Sequence, residues 1–252
     1  MKADRIEAIA DLLDKRGKMT LKQLGEHFPK VSEMTLRRDL LTLENENRII
    51  RVRGGAMSVK DVKKVSGEEY TKKTATNTDE KREIGQKAAT LIERGCSFFL
   101  DGGTTAMYFS KEMPDVPCHV FTNGIAVAME LAQKKNVQIT LLGGQLLKEN
   151  LSTVSFAAKD YFDRSNFAFA LISASAFTPE SGFSCSDQLE SDLLRMIKAK
   201  AGAVYMMLDS SKIGKIKPYT FAHIDDVDVL ITDDLFPEEV KDLFKERNVV
   251  VM

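Results

Sequence analysis

Apolar residues recur at helical spacing through the first part of the chain. Ile6, Ile9, Ala10 and Leu13 share one face of a helix over 4–15, which Gly17 stops. Thr20 and Gln23 have capping-box spacing, with Met19 and Leu24 at the staple positions, so a short helix starts at Thr20 and ends before Pro29. Leu36, Leu40 and Leu43 then recur at i, i+4 and i+7 behind Ser32, a good N-cap. The pattern next turns to alternation. Arg48-Ile49-Ile50-Arg51-Val52-Arg53 reads as a strand that Gly54-Gly55 turns back. Two short helices joined by a tight turn and followed by a hairpin predict a winged helix-turn-helix over residues 1–58.

From residue 79 the pattern changes again. A helix over 79–93 buries Ile84, Ala88, Leu91 and Ile92 and ends at Gly95. Short apolar runs at 97–100, 119–122, 137–142, 167–173, 203–208 and 228–232 alternate with helical stretches, ending in a helix from Pro237 and a strand at 248–252. This alternation predicts an α/β domain over 79–252 with a mostly parallel sheet. Residues 59–78, rich in Lys, Glu, Thr and Ser, read as an exposed linker or lightly packed arm.

Composition narrows the class. The 252 residues are 43% hydrophobic and 29% charged, enough for two domains. No run approaches the ~18 apolar residues of a membrane span, and Met1-Lys2-Ala3-Asp4 opens a charged helix rather than a signal segment, so the chain is expected in the cytoplasm. Cys96, Cys118 and Cys185 show no metal spacing, and neither His119 nor His223 stands near a cysteine in a ligand pattern. No metal, cofactor or catalytic group is expected, and no membrane. Charge adds more: residues 1–64 hold 15 Lys+Arg against 10 Asp+Glu, a basic end on an acidic body that points to a polyanion partner.

The Ser32 helix carries the sharpest chemistry. On its wheel Met34, Arg38 and Leu41 point away from the apolar stripe, with Glu33, Thr35, Arg37 and Thr42 on the flanks. Hydroxyls and first-turn N–H groups suit phosphates, and guanidinium forks suit guanine edges or the backbone. The candidate DNA contacts are Thr20, Ser32, Glu33, Thr35, Arg37 and Arg38, with Arg48, Arg51 and Arg53 of the wing on the DNA backbone. In the second domain, small and polar residues follow the strands: Thr122-Asn123-Gly124, Gly143-Gly144, Asp209-Ser210-Ser211-Lys212 and Thr232-Asp233-Asp234. Open α/β sheets bind ligands at such carboxyl ends. Asp101-Gly102-Gly103-Thr104-Thr105 runs from a strand straight into a helix. That suits a phosphate cradle, although the same composition also serves a tight βα turn.

These motifs carry a resemblance. Val31-Ser32-x-x-Thr35-Leu36-Arg37-Arg38-Asp39-Leu40, Leu43-Glu44 and Arg53-Gly54-Gly55-Ala56 resemble the DNA-binding domain of DeoR-type bacterial transcription regulators. Lys81-Arg82-x-Ile84-Gly85, Leu100-Asp101-x-Gly103-Thr104-Thr105, Leu142-Gly143-Gly144 and Asp209-Ser210-Ser211-Lys212 resemble their effector domain. The resemblance implies a fold like ribose-5-phosphate isomerase and CoA-transferases. It implies a repressor of a carbohydrate-utilisation operon that binds double-stranded operator DNA as a homo-oligomer, dimer or tetramer, and answers to a small phosphorylated sugar. Gly103, Thr104 and Thr105, with Gly102, would hold the phosphate; Asp101, Asn123 and Lys212 would face the sugar, and Lys148 would add a second charge contact.

The chain departs from the family pattern in places. Phe28-Pro29-Lys30 makes a turn one residue longer than usual, and Asn47 and Ser155 stand where glycine is common. Asn166 replaces a common aspartate, and Ala174-Ser175-Ala176-Phe177-Thr178 replaces a run with a glycine and an aspartate, so Phe177 is expected to narrow the pocket. Two other readings stand beside the regulator. One is a sugar-phosphate isomerase or transferase in which Asp101 and Lys212 exchange protons. The other is a DNA-binding protein that no longer senses an effector.

Overall fold

The computed structural model describes residues 2–46, 48–52, 54–58, 68–155 and 165–252. The chain divides into two compact units, Met1–Gly67 and Glu68–Met252.

In the first unit α1 (Lys2–Arg16), α2 (Leu21–His27) and α3 (Glu33–Asn45) follow one another, with β1 (Lys18–Thr20) before α2 and β2 (Ile49–Val52) and β3 (Gly55–Ser58) after α3. Ile9, Leu13, Leu24, Leu36, Leu40 and Leu43 form its buried centre, so the apolar stripes of all three helices meet. The wing is a three-stranded antiparallel sheet in the order β1-β3-β2. The residues of β1 had read only as a cap and a staple. A Cβ on Gly55 would run into the Met19 carbonyl, so this close strand approach requires glycine. Gly54 makes the β2–β3 turn at φ +82°. Arg53 and Asn47 lie outside the described residues.

The second unit begins earlier than the sequence pattern suggests. Part of the expected linker is a helix, α4 (Glu68–Ala75), with Tyr70 buried and the Tyr108 hydroxyl donating to the Thr74 carbonyl. After α5 (Thr78–Ala89), the domain lays down β4 (Ser97–Leu100), α6 (Thr104–Glu112), β5 (Cys118–Thr122), α7 (Ile125–Leu131) and β6 (Val137–Leu141). A hairpin of β7 (Gln145–Leu147) and β8 (Ser152–Val154) follows, then β9 (Phe169–Ser173), β10 (Ala176–Thr178) and β11 (Gly182–Cys185). The chain closes with α8 (Gln188–Lys200), β12 (Val204–Met207), β13 (Tyr219–Ala222), β14 (Val229–Ile231), α9 (Glu238–Lys245) and β15 (Val250–Val251).

Seven strands form one parallel sheet in the order β15-β14-β12-β9-β4-β5-β6. Alternate side chains enter opposite cores. Phe98, Leu100, Phe169 and Leu171 pack under α5, α6 and α7, while Phe99, Ala170 and Ile172 pack with α8 and α9. Burial on both faces explains why these strands are continuous apolar runs. Winding proceeds from β4 toward β6 on one side and from β9 toward β15 on the other, so the order reverses between β4 and β9. That reversal opens a crevice at the carboxyl ends of these two strands. Phe177 does not narrow it: the ring is fully buried against Phe183 and Phe244 in the core.

Candidate functional site

Two sites emerge, one in each unit. In the first, Ser32 caps α3: its Oγ accepts from the Thr35 N–H at 3.3 Å and lies 2.9 Å from the Thr35 hydroxyl. Thr20 and Gln23 form a reciprocal capping box on α2. The apolar stripe buries Leu36 and Leu40, leaving Glu33, Met34, Arg37 and Arg38 exposed on the other side of α3. A buried carboxylate aims this face: Asp39, 1% exposed, accepts from Arg5 Nε at 2.7 Å and from a second Arg5 nitrogen at 3.2 Å. Asp39 belongs to the helix motif, but nothing local in the sequence gives it this role.

The arginines differ in how they are held. Arg37 donates to Glu33 at 2.7 Å, one turn earlier. Arg48 makes a two-pronged contact with Glu7 at 2.6 and 2.7 Å, and Arg51 reaches Glu44 at 2.6 Å. Among the described residues no carboxylate pairs with Arg38. Exposed pairs of this kind contribute little net stability, so phosphate can replace the carboxylate without a large penalty.

The second site lies in the β4/β9 crevice, a cleft of about 230 Å³. Asp101, Gly102, Gly103, Thr104, Thr105 and Lys212 all line it. Gly103 stands before α6 with φ +98°, and no side chain caps the helix. Its first-turn N–H groups are therefore open to an anion, in a geometry that an L side chain rarely adopts. A Cβ on Gly102 would strike the Ser152 side chain and approach Gly124, so glycine lets three loops meet here.

Asp101 spans the switch point. Its Oδ2 accepts from the Ser173 hydroxyl at 2.9 Å and the Ser173 N–H at 3.2 Å, and its Oδ1 accepts from the Gly102 N–H at 2.8 Å. Burial pushes its pKa up to about 6. Two further carboxylates position Lys212. Asp233 accepts from the Ser210 N–H at 2.7 Å, and Asp209 accepts from the Ser211 N–H at 3.1 Å, fixing the 3-10 turn Ser210–Lys212.

Two expected residues lie elsewhere. Asn123 is fully buried behind Gly102, and its amide atoms have no hydrogen-bond partner among the described residues. Lys148 lines a neighbouring depression with Leu146, Asp187 and Glu190 rather than the cleft. In their place the cleft gains Lys73 from α4, Asn150, Glu190 from α8, Lys215 and Lys217. Lys73 donates to Asn150 at 3.1 Å, and Asn150 donates to Glu190 at 2.7 Å. Burial, with the nearby Asp101 charge, raises Glu190 to about 8. Nothing local in the sequence marks these residues; only the fold brings them to the crevice.

His119 stacks on Phe121 and bonds the Thr140 hydroxyl, and no group of His, Cys, Asp and Glu among the described residues is arranged to hold a metal ion. Among those residues, no helix is long and apolar enough to cross a membrane.

Comparison with known proteins places both units. Residues 5–62 match a DeoR-like helix-turn-helix domain and residues 76–234 a DeoR C-terminal sensor domain. The chain is 33% identical to the uncharacterized HTH-type transcriptional regulator YulB of Bacillus subtilis, across 96% of this chain and 93% of that protein. It is 32% identical to the HTH-type transcriptional repressor GlcR of the same organism, across 99% and 95%. It is also 32% identical to the lactose phosphotransferase system repressor of Streptococcus mutans, across 99% of both. Among solved structures, ribose 5-phosphate isomerase A of Methanocaldococcus jannaschii matches 55% of each chain at 15% identity and a TM-score of 0.40. With a DNA-binding unit and a sensor domain both matched, and relatives alike over nearly their whole length, this chain belongs to the DeoR family of transcription regulators.

Proposed function

We infer that the chain represses a carbohydrate-utilisation operon and that a phosphorylated sugar bound in the β4/β9 cleft releases it from DNA. α3 enters the major groove. Arg38 and Arg37 read base edges, Thr20, Ser32, Glu33 and Thr35 set the helix against the backbone, and Arg48, Arg51 and Arg53 of the wing hold phosphates. A small winged helix buries little surface, so paired half-sites and a homo-oligomer of the chain in the cytoplasm complete the picture.

One observation carries the effector reading: the uncapped N-terminus of α6 opens into a lysine-lined cleft behind Gly103. N–H groups, helix dipole, Thr104, Thr105 and Lys212 then converge on one phosphoryl group, while Asp101 and Glu190 face hydroxyls of the sugar. Asn123 supports the loop from behind, and Lys148 lies outside the contact set. The chain is a regulator rather than an enzyme, since both matched families are DNA-binding and sensor domains and its named relatives are regulators.

The deciding experiment is fluorescence anisotropy of DNA from upstream of the gene and its neighbours, titrated with the full chain at fixed salt, with and without a panel of sugar phosphates. Specific binding that one sugar phosphate relieves is the expected result. Specific binding that none relieves removes the sensing half of the reading, and the absence of specific binding removes the whole of it.

A further inference from the structure

The cleft carries more positive charge than a single phosphoryl group calls for. Lys73, Lys212, Lys215 and Lys217 line it. A second pocket opens beside it, between α4 and the Ser210–Lys212 turn. It shares Lys73, Lys212 and Lys215 with the first and adds Lys72 and Lys81, so the two pockets have a lysine wall in common.

Four lysines of this domain that lie outside the two pockets are closely matched. Lys87, Lys198, Lys241 and Lys245 each have a carboxylate oxygen between 2.6 and 2.9 Å. Here the matching fails. Among the described residues no carboxylate pairs with Lys72, Lys215 or Lys217, and Lys212 has only Asp209, at 3.8 Å. The cleft's own carboxylates, Asp101 and Glu190, line the first pocket and not the second. Lys81 is already committed, since its buried Nζ donates to the carbonyls of Lys73 and Thr76. Lys72, Lys212 and Lys215 gather in the second pocket with only the distant Asp209 contact between them and a carboxylate; such like charges repel one another, and an anionic ligand reduces that repulsion.

We propose that the ligand carries two anionic groups, one at each end of a polyol chain. The first sits on the Gly103–Thr105 turn, and the second sits in the lysine pocket between α4 and the Ser210–Lys212 turn. The ligand class is a sugar bisphosphate; a phosphorylated sugar acid has the same charge pattern with a carboxylate at the far end. Lysine suits this second group, because a flexible ammonium makes point contacts with either anion and imposes no bidentate geometry. The inference rests on the sugar-phosphate reading above and adds a second subsite to it.

Isothermal titration of the full chain at fixed ionic strength tests it, with fructose 6-phosphate, fructose 1,6-bisphosphate, 6-phosphogluconate and pyrophosphate as probes. At least one two-ended sugar ligand is expected to bind about tenfold or more tighter than the monophosphate, the worth of one charge-assisted contact. The bisphosphate or the sugar acid, whichever shows the gain, identifies the second group. Pyrophosphate, which has no polyol chain between its two anionic groups, is expected to gain nothing. Lys72 is exposed and lines only the second pocket, so Lys72→Glu is expected to fold and to bring the two sugar classes within about threefold of each other. Equal binding of one-ended and two-ended ligands, or an advantage that survives Lys72→Glu, overturns the second subsite and leaves the sugar-phosphate reading standing. Failure of every probe to bind overturns both.

Discussion

Single side chains already separate reading from scaffolding in the DNA-binding unit. Arg38 faces away from the core without a carboxylate partner, whereas Arg37 is held by Glu33 and Arg48 by Glu7. Arg38→Ala is therefore expected to cost about 1–3 kcal/mol of operator affinity by anisotropy, the worth of a good base contact. Arg37→Ala is expected to cost less, because Arg37 exchanges one anion for another. Equal, unaltered binding by both variants would sink the assignment of α3. Asp39 acts differently: it touches no exposed surface, and Asp39→Ala leaves Arg5 unpaired against the core, lowering the melting transition of this unit. In the second unit, burial raises Asp101 to about 6 and Glu190 to about 8. A carboxylate raised on folding contributes stability that is full below its unfolded value and lost as pH rises through its folded value. For Glu190 that window runs from about 4.5 to about 8. Urea midpoints of Glu190→Gln are thus expected to gain on those of the parent steadily across this range, and a constant offset would show that Glu190 is ionised throughout.

At the scale of elements, α4 shows what a sequence pattern conveys and what it omits. Helices with three or more stripe residues, such as α1 and α3, were legible because their burial follows one period. The glycine loop after β4 was legible as well, since its chemistry is local. α4 was not: Tyr70 is its buried anchor, and its Lys and Glu residues read as a solvated linker. Its position is set by tertiary contacts, above all by Lys81, whose buried Nζ closes the C-terminal carbonyls of α4 from the next helix. The same limit hid Asn150 and Glu190, which stand far apart in sequence and meet only because the sheet order reverses beside them. Lys81→Met keeps the length of the side chain and removes its donors. Amide exchange over 68–75 is expected to quicken sharply in this variant, while the β4 and β9 amides stay protected. Unchanged exchange in α4 would mean that Tyr70 and Tyr108 suffice to hold it.

For the whole molecule, regulation requires that the cleft and the DNA-binding unit share a free energy. α4 is the first element of the sensor unit, directly after the first unit in sequence, and it supplies Lys73 to the cleft through the Lys73–Asn150–Glu190 chain of hydrogen bonds. An anion that draws Lys73 away from Asn150 acts on the helix where the chain arrives from the DNA-binding unit. Such a ligand shifts operator binding only by the difference in its affinity for the DNA-bound and free forms. Linkage makes the effect symmetric: if the sugar phosphate weakens operator binding twentyfold or so, operator DNA must weaken sugar-phosphate binding by the same factor, within the usual range of about 1–3 kcal/mol. Anisotropy with saturating ligand gives one factor, and titration of ligand into the protein–operator complex gives the other. Lys73→Met is expected to shrink both factors together while leaving operator affinity without ligand unchanged. If ligand binding weakened in this variant but both factors stayed the same, coupling would run through some other element, and α4 would be only a wall of the cleft.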